Sequence, residues 1–150
     1  MSSKSIRDFE INDEELFYNL ANLFYKSDAA HSEINQEFLR TTFLNCISQS
    51  PFIRGVFVIC ENEVCGYALL TFTYSNEYGG KVMEIDEIYI RDEFKRMGLA
   101  NYFISAIIAE YEHDVVYVEV VMREDNEAAI SLFDKFDFTP NEYLIMHKTL

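Results

Sequence analysis

The stretch Lys95-Arg96-Met97-Gly98-Leu99-Ala100 has the residue types and order best suited to chemistry. It follows the apolar run Ile88-Tyr89-Ile90 and opens a segment with helical periodicity. The first N–H groups of a helix have no intrahelical partner, and the helix dipole favours negative charge beside them, so a strand feeding a helix start is an anion site. Gly98 and Ala100 carry little or no side chain, which leaves the backbone open to a pyrophosphate. Lys95 and Arg96 place two cations at this mouth in a chain with 26 acidic residues, 12 basic residues and a net charge of −14. That local reversal of sign points to a phosphate ligand. The stretch is not a P-loop, which needs Gly-Lys-Ser/Thr after a glycine-rich turn. Nor is it a dinucleotide fingerprint, because it holds a single glycine.

The elements that must position this stretch follow from hydrophobic periodicity. Residues 5–10 read as a strand, and a helix starting at Asn12 or Asp13 carries Leu16, Leu20, Leu23 and Phe24 on one face. A second helix is expected over 32–48, with Ser32 as its cap and Leu39, Phe43, Cys46 and Ile47 on its apolar face. The runs 55–60 and 64–73 flank Glu61-Asn62-Glu63 and read as a hairpin. A third strand covers 81–90, and a helix ends near His113. Residues 115–121 (VVYVEVV) form a continuous apolar run typical of a fully buried strand. A last helix over 126–136 presents Ala129, Leu132, Phe133 and Phe136, Pro140 stops it, and 142–149 reads as a terminal strand. This order predicts a single α/β (α+β) domain over 1–150 with a mixed sheet.

Composition narrows the class. Apolar residues make up 49% of the chain, so a packed globule is expected rather than disorder. The acidic field repels nucleic acid and anionic membrane, and no apolar run is long enough to span a bilayer. The start, MSSKSIRDFE, lacks the apolar core of a signal peptide, so a cytoplasmic protein is expected. Cys46, Cys60 and Cys65 show neither a disulfide frame nor zinc spacing and read as reduced thiols. His31, His113 and His147 do not cluster, and no metal site is expected.

Lys95 to Ala100 resembles the [QR]-x-x-G-x-[GA] acetyl-CoA motif of the GNAT N-acetyltransferase superfamily, with Lys in the Gln/Arg place. Asp86-Glu87-Ile88-Tyr89-Ile90 is similar to the strand before that motif. Asn126, Ala129, Phe133, Phe136 and Phe138 resemble its second signature, in the same order and at a similar separation. The resemblance implies the GNAT fold, a mixed central sheet of about six to seven strands flanked by four helices. It implies that the backbones of Ile88, Tyr89 and Ile90 pair with the pantetheine of acetyl-CoA, and that the segment Lys95, Arg96, Met97, Gly98, Leu99 and Ala100 holds the pyrophosphate. Asn126 would contact the cofactor arm, though it reads equally well as a helix N-cap. Phe133 would lie near the thioester sulfur, though its spacing also suits a core residue.

The implied activity is acetyl transfer from acetyl-CoA to a primary amine. The ammonium must lose a proton before attack, and the departing thiolate must be stabilised. In the family a base usually comes from the strand holding Glu84, Asp86 and Glu87. Alternation puts Glu84 and Asp86 on one face and Glu87 on the other, unless a bulge intervenes. The family's general acid is often Tyr where this chain has Phe133, so Tyr74, Tyr89 and Tyr143 are alternative donors. Asp137 stands where Gly usually ends the last helix. The acidic surface suggests a small cationic amine as acceptor, and the segment 25–35 is expected to help shape its pocket. A protein or peptide N-acetyltransferase and a catalytically weak acyl-CoA-binding module are the rival readings. Tyr74, Tyr78 and Tyr143 are candidates for a homodimer surface.

Overall fold

Alternation of side chains along the strands decides which helix covers which face. The computed structural model describes residues 3–27, 30 and 33–150. Five strands form one mixed sheet in the spatial order β1 (Lys4–Asp8), β2 (Ile53–Cys60), β3 (Glu63–Ser75), β4 (Gly80–Ile90) and β5 (Tyr117–Val120). The first four run antiparallel to their neighbours, and β5 lies parallel to β4. Four helices flank it: α1 (Glu14–Lys26), α2 (Gln36–Ile47), α3 (Leu99–Tyr111) and α4 (Glu127–Asp134).

Phe57, Tyr67, Leu69 and Tyr89 point to one face, where they meet Phe17, Leu20 and Phe24 of α1 and Leu39 and Phe43 of α2. Val56, Val58, Ala68, Leu70, Met83 and Ile85 point to the other, against Leu99, Phe103, Ile104 and Ile107 of α3 and Phe133 of α4. The β2–β3 hairpin turns at Glu61 and Asn62, both in the left-handed region at φ 53° and 64°. Such primed turns match the right-handed twist of the strands they join. Arg54 of β2 donates to Asp8 of β1 at 2.7 Å, to Glu110, and to the Tyr111 hydroxyl at 3.0 Å, tying one end of α3 to the sheet. Cys60 and Cys65 are buried free thiols, and burial pushes the Cys46 thiol up to about 12.

Several expectations shift. A 3-10 turn at Ile11–Asp13 precedes α1, and α2 begins at Gln36 with the Asn35 side chain accepting from the Glu37 N–H at 2.8 Å. Ser32, the expected cap, and His31 lie outside the described residues. The described residues form a sheet of five strands rather than six or seven, because none of them makes a ladder with 142–149 and that segment takes no strand conformation. A strand exists only where a neighbour offers a ladder. The run 115–121 yields a four-residue strand, and none of its residues is fully buried. Asp137 adopts φ 65°, the left-handed conformation a helix-ending glycine would supply and one that Asp tolerates.

Gly66 of β3 faces the site-bearing end of β4. A Cβ there would stand 2.1 Å from the Tyr89 carbonyl oxygen and 2.9 Å from Ile90 Cδ1. The obstacle is backbone, so β4 itself must move. Gly66→Ala is expected to destabilise the fold by about 1–3 kcal/mol, as overpacking does, read from urea unfolding. An unchanged midpoint would show that β4 yields freely.

Candidate active site

The site begins where two strands part. β4 and β5 pair from Val82↔Tyr117 to Ile85↔Val120 and no further. From Asp86 to Ile90 the β4 edge facing β5 has no strand partner among the described residues, and its N–H and C=O groups are available to a ligand. The gap opens into a cavity of about 1160 Å³. Ile88, Tyr89 and Ile90 line one wall, and Asn126, Ala129, Leu132 and Phe133 line the opposite wall.

The floor is the start of α3. Lys95, Arg96, Gly98, Leu99 and Ala100 all line the cavity, whereas Met97 does not. The Met97 carbonyl instead accepts from Lys4 Nζ at 3.1 Å, which anchors the loop to β1. The main chain passes through the left-handed region at Arg96 (φ 65°) and at Gly98 (φ 72°), the N-cap position of α3. Windings of this kind gather N–H groups on one side as an anion-binding concavity. Lys95 also pairs with Asp92 at 2.7 Å. Four cations line the cavity (Lys26, Lys95, Arg96 and Arg123), against three carboxylates (Asp92, Asp125 and Glu127). The acidic bias of the chain is reversed here.

A bulge arranges the carboxylates. Leu69 pairs with Glu87 and Leu70 with Ile85, so Asp86 is the extra residue. The bulge resets the alternation, and Glu87 joins Glu84 on the face of α1 and α2 rather than opposing it. Glu87 accepts from the Tyr25 hydroxyl at 2.5 Å and the Tyr67 hydroxyl at 2.7 Å. Burial raises the Glu87 carboxyl above its ordinary range, and these two donors oppose the rise. Glu84 lies across the β4–β5 pair from Glu119. Burial, with the charges of Asp86 and Glu119, pushes Glu84 up to about 7. A carboxylate that titrates there can take a proton from an ammonium near neutrality.

Asn126 serves both expected purposes. Its Oδ1 caps α4 by accepting from the Ala129 N–H at 3.1 Å, and the residue lines the cavity. Phe133 is likewise both core and wall, packed edge-on to Phe138 at 5.1 Å. Of the three tyrosines considered as donors, Tyr89 lines the cavity, while Tyr74 and Tyr143 are exposed elsewhere. Sequence reasoning missed Tyr67, Glu119, Arg123 and Lys4, and it placed Tyr25 in the segment expected to shape the acceptor pocket without anticipating its bond to Glu87. Glu119 did leave a signal, as the lone charge within an apolar strand; the tyrosines became legible only once α1 and β3 were seen to converge on Glu87.

The acetyltransferase (GNAT) family matches residues 15–138. A thialysine N-epsilon-acetyltransferase from Caenorhabditis elegans is 31% identical over 92 residues, covering 60% of this chain and 56% of that protein. The match thus spans little more than half of that relative's length. A crystal structure described as a possible acetyltransferase from Clostridium difficile 630 superposes with a TM-score of 0.85 at 15% identity, over 98% of this chain and 97% of that one. The aminoglycoside N-acetyltransferase AAC(6')-Iy in complex with CoA superposes with a TM-score of 0.78 at 14% identity, over 99% and 96% of the two chains. At these identities the structural likeness is one of fold. With family signatures, fold and site geometry in agreement, the chain belongs to the GNAT family of acetyltransferases, whose acyl donor is acetyl-CoA.

Proposed function

We propose that this chain transfers an acetyl group from acetyl-CoA directly to a primary amine, and that its acceptor is a small cationic amine. The observation that carries the reading is the continuity of the cavity. A free β4 edge runs into a helix start wound through two left-handed residues, with raised carboxylates on the same strand. The backbones of Ile88 and Ile90 suit the amides of a pantetheine arm, and the N–H groups around Gly98 with Arg96 suit its pyrophosphate. Glu84, with Asp86 and Glu87 beside it, takes the proton that the ammonium must lose, directly or through water. Attack then forms the C–N bond as the C–S bond breaks, and the thiolate takes a proton from Tyr89 or solvent, since Phe133 has none to give. The thialysine-modifying relative and the aminoglycoside-modifying neighbour both act on amines, which supports the acceptor class. Phe133 favours a second reading, an acyl-CoA-binding module of weak turnover, which the kinetic outcomes below separate.

Calorimetric titration with acetyl-CoA is expected to show micromolar binding to the native chain and none to an Arg96→Glu, Gly98→Glu variant with unchanged circular dichroism. Equal binding by both would remove the pyrophosphate assignment. In a panel of diamines, aminoglycosides, free amino acids and peptides, turnover is expected with the small polycations. Turnover confined to peptide N-termini or lysine side chains would overturn the acceptor class, and binding without any turnover would favour the module. Glu84 works as a base only when ionised, so kcat/KM is expected to rise as pH climbs through about 7. Glu84→Gln is expected to lose that limb and about 10²–10⁴-fold in rate. A variant that keeps the same limb would shift the role to Glu87 or Asp86.

A further inference from the structure

We propose that Lys4, on the first strand and outside the cavity, is a positioning residue for the acyl donor. Its ammonium locks the Met97–Gly98 peptide so that the Gly98 N–H faces the pyrophosphate. This role rests on the pyrophosphate reading of the α3 start. Among the described residues, the N–H groups of Arg96, Met97 and Gly98 donate to no other backbone group. They are the donors a phosphate would take. Where each of them aims depends on how its peptide plane is turned, because the C=O and N–H of a trans peptide point in opposite directions. Lys4 Nζ donates to the Met97 carbonyl at 3.1 Å, and Lys4 is no part of the cavity wall, whereas Gly98 is. The carbonyl therefore turns away from the cavity, and the Gly98 N–H turns toward it.

The lock is needed because little else holds that peptide. Gly98 admits either sign of φ, so the plane can turn over by rotation at its two ends. Chain neighbours aside, the Cβ position at Gly98 has a single described heavy atom within 4 Å, Lys4 Nζ itself at 3.7 Å. Turned over, the peptide would present its carbonyl oxygen to the phosphates, a repulsion in place of a hydrogen bond. Just upstream, Arg96 sits at φ 65°, a conformation that a residue with a side chain keeps only where its surroundings impose it. Lys4 is itself firmly held. It pairs with Cys60 of β2, and its carbonyl accepts from the Tyr102 hydroxyl at 3.1 Å. Tyr102 in turn closes the first turn of α3, its N–H donating to the Gly98 carbonyl at 2.9 Å. Through one residue, β1 grips the α3 start at two points.

Calorimetric titration with CoA and with pantetheine, which lacks the pyrophosphate, separates this role from a merely structural one. Lys4→Met with native circular dichroism is expected to bind CoA about 10–100-fold more weakly, as the loss of one charged hydrogen bond implies. It is expected to bind pantetheine as the native chain does. Lys4→Arg, which keeps a cationic donor, is expected to recover most of the CoA affinity. In the native chain the Gly98 amide resonance is expected to move on adding CoA and to stay in place with pantetheine. That measurement stands even if the Met variant fails to fold. Equal weakening for both ligands, no recovery in Lys4→Arg, or a Gly98 amide that ignores CoA would each overturn the proposal. Unchanged CoA affinity in Lys4→Met beside lost binding in Arg96→Glu, Gly98→Glu would overturn it and leave the pyrophosphate reading intact. Native binding of pantetheine as tight as that of CoA would instead remove that reading, and the role of Lys4 with it.

Discussion

Two parallel strands stay joined only while their backbones remain within hydrogen-bonding reach, and β4 and β5 cease to do so after Ile85 and Val120. The rest of the site depends on that parting. Five residues of β4 are left with one bare edge, a situation the interior of a sheet never tolerates, because an unmatched N–H or C=O away from water is costly. The cleft keeps those groups wet, or matched by a ligand that mimics a strand. The flanking helices hold the two strands apart. α3 packs Leu99, Phe103, Ile104 and Ile107 beneath β4, while α4 inserts Phe133 on the far side of the gap. Phe133 therefore belongs to core and cavity wall at once, as do Leu99, Ile90 and Tyr89.

The bulge at Asp86 is the second constraint, and it follows from the first. By adding one residue to β4 it turns Ile88 and Ile90 toward the α3 face while gathering Glu84 and Glu87 on the face of α1 and α2. A regular strand would have split these carboxylates between two environments. Burial raises both of them, the charge of Asp86 adds to each, and the fold bears a cost. Glu84 binds its proton more tightly folded than unfolded, so its contribution to stability declines as pH rises from the ordinary carboxylate range toward 7. The Tyr25 and Tyr67 hydroxyls on Glu87 limit that cost where burial is deepest.

Much of this was legible in the residues. The order of the first five strands and the four helices, the hairpin and the α3 start followed from periodicity and from local chemistry at Lys95–Ala100, whereas Asn126 and Phe133 entered through the family resemblance. What was not legible depended on neighbours. The face of Glu87 hung on a bulge that no residue announces, because the register is set by β3 as much as by β4. Met97 sits inside the motif yet turns its carbonyl to Lys4, a contact made across 93 positions of sequence. Residues 142–149 have strand composition, but composition cannot supply a ladder, and among the described residues none pairs with them.

The cysteines bear on how the reaction can be organised. Cys60 and Cys65 are sealed in the core, and the Cys46 thiol is held protonated far above neutrality. Only a thiolate attacks a thioester, so none of these side chains is fitted to carry the acetyl group as a waystation. For the proposed reaction, donor and acceptor must then occupy the cleft together, and their order of arrival becomes the kinetic question. Sealed in the core, Cys60 and Cys65 are also poor targets for oxidants and alkylating agents, so the redox state around the chain leaves these two thiols untouched.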